Sequence, residues 1–292
     1  MDKKKLSRSV RESSECVVDG NGKEWRCLSL DAARRIAAEY GSGTRLIEIA
    51  ALEEDIVPSR YRRNIGTVGI AGQLRLLGSA AGIVGVGGLG GFVIELLARM
   101  GVGRITVIDD DSFSESNLNR QLLSIEENLG VVKIEAAVER IAAVNSAVEV
   151  EAHCCRGDSD NFSELLEHCE LVIDCLDNLP SRFALEAACS QLKLPLVHGA
   201  IAGFLGQVAV IRPGKPVLRS VYGRPDEGGS GRGVETELGN PAFTPAMLAS
   251  FQAAEAVKYL AGLESLLPPN ILLIIDLQSG ETYRIEIGGP GS

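Results

Sequence analysis

Residues 109 to 121 read DDDSFSESNLNRQ: three successive carboxylates, Asp109, Asp110 and Asp111, and then Asn117, Arg120 and Gln121. Lys133 follows a short way on, and Asp177 stands in the later stretch VIDCLDN. Two cations beside a nucleotide pocket suit work on a polyanion, since a triphosphate carries about four negative charges where a dinucleotide pyrophosphate carries about two. Ordinary solvation of Arg120 and Lys133 is the plain alternative, and these residues alone leave both open. A carboxylate facing phosphates is unfavourable unless a divalent cation lies between them, and hard oxygen ligands suit magnesium. Asp177, expected to close a strand, is therefore the metal candidate, and Asp174, three residues earlier, is expected to be structural.

The stretch GVGGLG places Gly85, Gly87 and Gly90 in G-x-G-x-x-G register, with Gly88 between them. Such a turn lets a phosphate approach backbone amides at the positive end of a helix. Close strand–helix packing by itself can also select glycine. Asp109 comes about twenty residues on, at the end of the next strand, where a carboxylate accepts hydrogen bonds from ribose hydroxyls. A dinucleotide dehydrogenase would satisfy all of this and would leave the following cations without a task.

Residues of these kinds need a scaffold, and the pattern from residue 79 onward supplies one. AGIVGV, RITVID, AVEVEAHC, ELVIDCLD and PLVHGA read as strands, and GGLGGFVIELLARMG, KIEAAVERIAAVN, SDNFSELLEHC and LPSRFALEAACSQLK read as the helices between them. Strands alternating with helices imply parallel βαβ units. The expected class is α/β: a Rossmann-like, doubly wound, mostly parallel sheet with antiparallel C-terminal strands. After Ala200 come a hairpin-like strand in GFLGQVAVIRPG and a loop from about Lys215 to Asn240. A helix N-capped by Thr244 with Pro245 at its first position follows, and then the strands ILLIIDL and TYRIEI.

Residues 1–56 are expected to form an N-terminal extension and 57–292 the α/β domain. The extension shows a turn at DGNGKEW and a helix in SLDAARRIAAEYG, capped by Ser29 or Asp31 and stopped by Gly41. The basic run KKKLSRSVR at 3–11 is followed by no apolar segment, so it reads as a solvated tail and not as a secretory signal.

A net charge of −10 argues against a broad nucleic-acid footprint, which needs a concentrated cationic face. The uncharged run from Leu76 to Ile94 has the length of a membrane span, but its 7 glycines in a turn pattern suit a strand, loop and helix instead. The 7 cysteines (Cys16, Cys27, Cys154, Cys155, Cys169, Cys175 and Cys189) form no C-x-x-C pair, which points to reduced thiols and a cytoplasmic location.

Taken together in order and spacing, RYRRN (60–64), GVGGLGG (85–91), DDDSFSESNLNRQ (109–121), GVVK (130–133), CLDN (175–178) and HGAIAGFLGQ (198–207) resemble the ThiF/MoeB/HesA family of E1-like adenylating enzymes. The resemblance runs over roughly residues 58 to 287. It implies ATP-dependent activation of the C-terminal glycine of a small ubiquitin-like sulfur-carrier protein as an acyl-adenylate, for thiamin or molybdopterin-type sulfur transfer. Relatives acting on a peptide terminus or a tRNA-borne carboxylate, or serving as silent nucleotide-binding partners, are alternatives. By motif, Asp109 corresponds to the ribose-binding aspartate, Arg120 and Lys133 to phosphate-contacting residues and Asp177 to a magnesium-associated aspartate. Asp111, Asn117, Gln121 and the glycines Gly85, Gly87, Gly88 and Gly90 frame the same ATP pocket. Arg63 corresponds to an arginine that reaches the partner subunit's ATP site in homodimeric members, so a homodimer is implied.

The chain departs from that family where zinc-binding relatives carry two C-x-x-C pairs; here those stretches read VLRSVYG and ILLIIDL, and no zinc is expected. Nor does the crossover loop, about 213–244, hold the cysteine that thioester-forming relatives use there. Cys189 and Cys175 are expected in the core, Cys154 and Cys155 at a strand end, and His198 as a satisfied histidine.

Overall fold

The computed structural model describes residues 2–223, 235–263 and 267–287. The first part of the chain runs through helix α1 (Lys3–Glu12), strands β1 (Glu15–Val18) and β2 (Glu24–Leu28), helices α2 (Leu30–Glu39) and α3 (Thr44–Glu53), and the short strand β3 (Val57–Pro58). The three strands form one sheet in the order β1-β2-β3. Its helices share a core of their own that includes Leu6, Val10, Leu28, Ile36, Ile47 and Ile56.

The basic segment at 3–11 is therefore no solvated tail. Leu6 and Val10 stand four apart and are both buried, so α1 packs through one face. Its cations face outward and pair with carboxylates, Lys3 with Glu53 and Arg11 with Glu54. At the turn in DGNGKEW, Asp19 Oδ1 accepts from the amides of Asn21 and Lys23. Ser29, not Asp31, caps α2 by accepting from Ala32 N.

A turn at Ser59–Tyr61 leads into helix α4 (Ile65–Gly78), and the main sheet begins with β4 (Ala80–Val84). There follow α5 (Gly88–Met100), β5 (Arg104–Ile108), α6 (Lys133–Val144), β6 (Glu149–His153), α7 (Phe162–Leu165), β7 (Leu171–Asp174), α8 (Leu179–Leu192), β8 (Leu196–Ala202) and β9 (Leu205–Ile211). Short helices α9 (Leu218–Tyr222) and α10 (Glu235–Leu238), the long α11 (Phe243–Leu260), β10 (Ile271–Asp276) and β11 (Glu281–Glu286) complete the described chain.

Among the described residues the sheet has 8 strands, in the order β11-β10-β9-β8-β7-β4-β5-β6. β4 to β8 pair in parallel, and β9, β10 and β11 are antiparallel, as the pattern predicts. One face is covered by α5, α6 and α11 through Leu89, Ile94, Ile141, Leu248 and Val257. The other is covered by α7, α8 and α9 through Phe162, Leu185 and Leu218. All five residues of β4 are buried, which accounts for the uncharged run. Among the described residues no helix is long and apolar enough to cross a membrane.

Three expectations need correction. The helix read over SDNFSELLEHC is only Phe162–Leu165, since residues 159–161 are taken by an Asx turn in which Asp158 Oδ1 accepts from the amides of Asp160 and Asn161. Thr244 does not cap α11: the helix starts at Phe243, and the Thr244 hydroxyl donates to Gly203 O across 2.6 Å. The loop expected from Lys215 to Asn240 contains α9 and α10, and its middle, 224–234, lies outside the described residues.

Candidate active site

β4 lies where the sheet reverses its direction of growth, with β5 and β6 laid to one side and β7 and β8 to the other. Open α/β sheets hold ligands at that switch point, outside the carboxyl ends of the strands. A cleft of about 840 Å³ opens there.

One wall is the glycine turn. Gly85 has φ +94, and a Cβ on it would fall 2.6 Å from Cys175 O. On Gly90 a Cβ would meet Gly85 O at 1.8 Å, so that glycine lets α5 press onto the turn and does not itself line the cleft. Gly85, Gly87 and Gly88 do line it. No side chain among the described residues caps α5, which leaves the positive end of a 13-residue helix beside the cleft.

Asp109 follows β5 immediately. Its Oδ2 accepts from Val86 N at 2.6 Å and its Oδ1 from Asp111 N at 2.9 Å. Burial pushes its carboxyl above the ordinary range, against those two donors and the Lys133 charge. Lys133 opens α6 with its side chain only 6% exposed, and its Nζ meets the well-exposed Asp111 Oδ2 at 2.9 Å.

Asn117 is buried and does not line the cleft. It builds the turn that presents its neighbours: its Oδ1 accepts from Ser114 N, and its carbonyl accepts from the amides of Arg120 and Gln121. Arg120 and Gln121 line the cleft, Arg120 held by Ser116 O and Asn119 Oδ1, each at 2.9 Å. Two buried side-chain oxygens of lining residues, Gln121 Oε1 and Asn240 Oδ1, have no partner among the described residues.

Asp177 does not close a strand. β7 ends at Asp174, and Asp177 lies in the following loop, exposed and lining the cleft. The strand stops there because Asp174 Oδ1 turns back to accept from Leu176 N at 2.9 Å. Next to Asp177, Asn178 caps α8 through Ser181 N. Among the described residues no group of three or more His, Cys, Asp or Glu is placed to hold a metal. A magnesium ion that arrives on a nucleotide takes only one or two protein carboxylates, and Asp177 offers one.

Arg63 is not brought to this cleft. It lies exposed at the entry to α4, just after the fully buried Tyr61 and after Arg60, whose Nε pairs with the buried Glu48 at 3.1 Å. The cleft also holds residues that sequence reasoning passed over, Arg182, Asn240 and Arg156, together with the half-buried Cys155, which was expected only at a strand end. Arg182 falls one turn after the Asn178 cap, on the helix that leaves the switch point, and that position was the available signal. Cys175 and Cys189 are buried, with thiols raised by desolvation, Cys189 to about 12. His198 is fully buried and contacts Asp174, as a satisfied histidine does.

A family model described as the ThiF family matches residues 61–289. The chain is 38% identical over 203 residues to the SAMP-activating enzyme E1 of Haloferax volcanii, a match spanning 69% of this chain and 75% of the relative. It is 38% identical over 228 residues to a sulfur carrier protein adenylyltransferase of Thermus thermophilus, spanning 75% and 84%. The crystal structure of E. coli MccB with ATP superposes with a TM-score of 0.67 at 21% identity, covering 79% of this chain and 72% of that one, which speaks to the fold.

Proposed function

The chain belongs to the ThiF family, and from that membership we propose that it is an ATP-dependent adenylyltransferase that activates the C-terminal glycine carboxylate of a small ubiquitin-like sulfur carrier. The relatives named as adenylating such carriers support the reading. The observation that carries it is the convergence of Arg120, Lys133 and the uncapped end of α5 on one cleft with Asp109.

In this reading Asp109 accepts from the ribose hydroxyls, and the glycine turn and α5 amides receive the phosphates. A carrier carboxylate oxygen attacks the α-phosphorus. The bond to the bridging oxygen breaks, and pyrophosphate leaves with the electron pair, producing a mixed anhydride with AMP. Charge grows on the departing phosphates, where Arg120 and Lys133 stand; preorganised donors of this kind contribute about 10² to 10³ each in rate. Lys133 exchanges Asp111 for a phosphate oxygen as ATP enters. Asp177 would hold a magnesium ion, whose charge supplements the two cations. In-line placement of the tail does the rest, and no protein nucleophile is needed.

Arg63, exposed and not among the residues that line its own cleft, is proposed to serve the cleft of a second copy in a homodimer. The proposed pathway is sulfur transfer of the thiamin or molybdopterin type, and the proposed compartment is the cytoplasm, where 7 unpaired cysteines stay reduced. The test is exchange of labelled pyrophosphate into ATP with a carrier ending in Gly-Gly. Carrier-dependent exchange is expected, and its absence with every small ubiquitin-like carrier of the source organism would overturn the reading.

A further inference from the structure

Beside the cleft wall lies a continuous set of buried and half-buried side chains with no role in the chemistry above. His198 Nδ1 meets Asp174 Oδ2 at 2.7 Å, and His198 Nε2 meets the Tyr222 hydroxyl at 2.9 Å. The same hydroxyl receives hydrogen bonds from Arg182 Nη1, at 3.1 Å, and from Gln207 Nε2. Asp174 and His198 are both 0% exposed. Gln252 closes the set from α11, donating to Asp174 O at 2.8 Å and to Val197 O at 3.2 Å.

The donor count fixes the protons. A phenol oxygen accepts two hydrogen bonds and donates one. Arg182 only donates, and Gln207 donates through its amide nitrogen, so the phenol proton goes to His198 Nε2. His198 is then neutral, with its own proton on Nδ1 and donated to Asp174. Burial pushes the imidazole pKa below its ordinary value, in keeping with that form. Arg182 Nε stands 3.7 Å from Asp174 Oδ2, which brings the guanidinium and the carboxylate together within the set.

Its placement gives it a task. Arg182 Nε donates to Leu176 O at 3.2 Å, and Arg182 Nη2 to Gly199 O at 3.4 Å. It thereby ties the loop that carries Asp177 to β8 just before Ala200 and Ile201, which line the cleft. Tyr222 ends α9, the first helix of the crossover segment. One hydroxyl therefore registers three pieces against each other: the Asp177 loop, the end of β8 and the base of the crossover.

We propose that His198 and Tyr222 are positioning residues for adenylation, holding Arg182 so that the Asp177 loop, β8 and the crossover base keep the geometry that in-line attack requires. This rests on the adenylation reading. The groups proposed to bind ATP, namely the glycine turn, Asp109, Arg120 and Lys133, stand outside the set, so its loss should act on the chemical step more than on nucleotide affinity.

The test uses Tyr222→Phe and His198→Asn in the full chain. The first keeps the ring and removes the hydroxyl; the second keeps a donor toward Asp174 and removes the acceptor for Tyr222. For each, kcat of carrier-dependent pyrophosphate exchange is expected to fall about tenfold to a hundredfold. ATP affinity by calorimetry should stay within about threefold of the unmodified chain. Because both changes break one chain of contacts, the double variant should lose no more than about twofold beyond the worse single. Unchanged kcat, equal losses in kcat and ATP affinity, or losses that multiply would each overturn the positioning role. The unmodified chain in the same assay separates the two levels: if it fails to exchange, the adenylation reading falls and this inference with it, whereas exchange by it and by both variants at one rate removes the positioning role alone.

Discussion

The amide of Val86 donates to Asp109 Oδ2 across 2.6 Å, which locks the glycine turn after β4 to the end of β5. One carboxylate thus shapes the turn and faces the cleft at the same time, and folding and binding make opposite demands on it. Folding favours the neutral acid, because burial disfavours the anion. Ribose hydroxyls favour the anion.

Asp109→Asn should separate these demands. A carboxyl whose pKa in the fold is raised above its ordinary 3.8 contributes most to stability below that value, and the contribution declines as pH rises through the folded value. Without nucleotide, the Asn variant should lose melting temperature relative to the unmodified chain as pH falls toward about 4, because only the carboxyl gains stability there; at neutral pH the variant forfeits one of the two amide acceptors that Asp109 provides. Its ATP affinity should drop at least about tenfold, from the loss of charge-assisted hydrogen bonds. Melting curves across pH and ATP calorimetry check both; a difference between the variant and the unmodified chain that does not move with pH would contradict the account of Asp109.

Glycines of the same motif should answer differently to alanine. At Gly90 a Cβ would lie 1.8 Å from Gly85 O, a backbone atom with no freedom to give way. Gly90→Ala should destabilise the fold by about 2 kcal/mol or more. At Gly88 the nearest atom, Pro245 Cβ, would be 3.6 Å away, so Gly88→Ala should leave stability within about 0.5 kcal/mol and weaken ATP binding. Urea unfolding of the two variants decides this.

Arg63 and Asp177 are both exposed, and replacing either by alanine should leave stability within about 0.5 kcal/mol. Each variant alone should lose at least about a hundredfold in pyrophosphate exchange. If the arginine acts across a two-fold axis, mixing the two inactive variants makes heterodimers with one intact site, and about a quarter of the wild-type activity should return. No recovery after refolding the mixture would show that Arg63 does not serve a second copy.

Much of the sheet was legible because β4 and β7 are buried on both faces, and such strands must be written as unbroken apolar runs. Asp109, Arg120, Gln121 and Lys133 line one cleft because they lie between the end of one parallel strand, β5, and the first residue of the next helix, α6, a position that alternation alone locates. What escaped depended on long-range contact. α1 was obscured by its cations, and its two apolar residues have meaning only once α2 and α3 supply a surface to cover. Tyr222 sits in an unremarkable stretch, VLRSVYG, and its hydroxyl finds His198 and Arg182 only after β7, β8 and α8 are in place. The position of Asp177 turned on a local detail, the Asp174 side chain ending its strand early.

The outward growth of the sheet from β4 in two directions also governs when the protein becomes competent during synthesis. The glycine turn, Asp109, Arg120 and Lys133 belong to the half laid down first, and Asp177, Arg182 and Asn240 to the half laid down later. A nascent chain that has emerged only as far as β6 already carries the groups proposed to bind ATP, while the wall opposite them is still to come. Competence for adenylation, which the proposal assigns to both walls together, waits until the last parallel strands have docked.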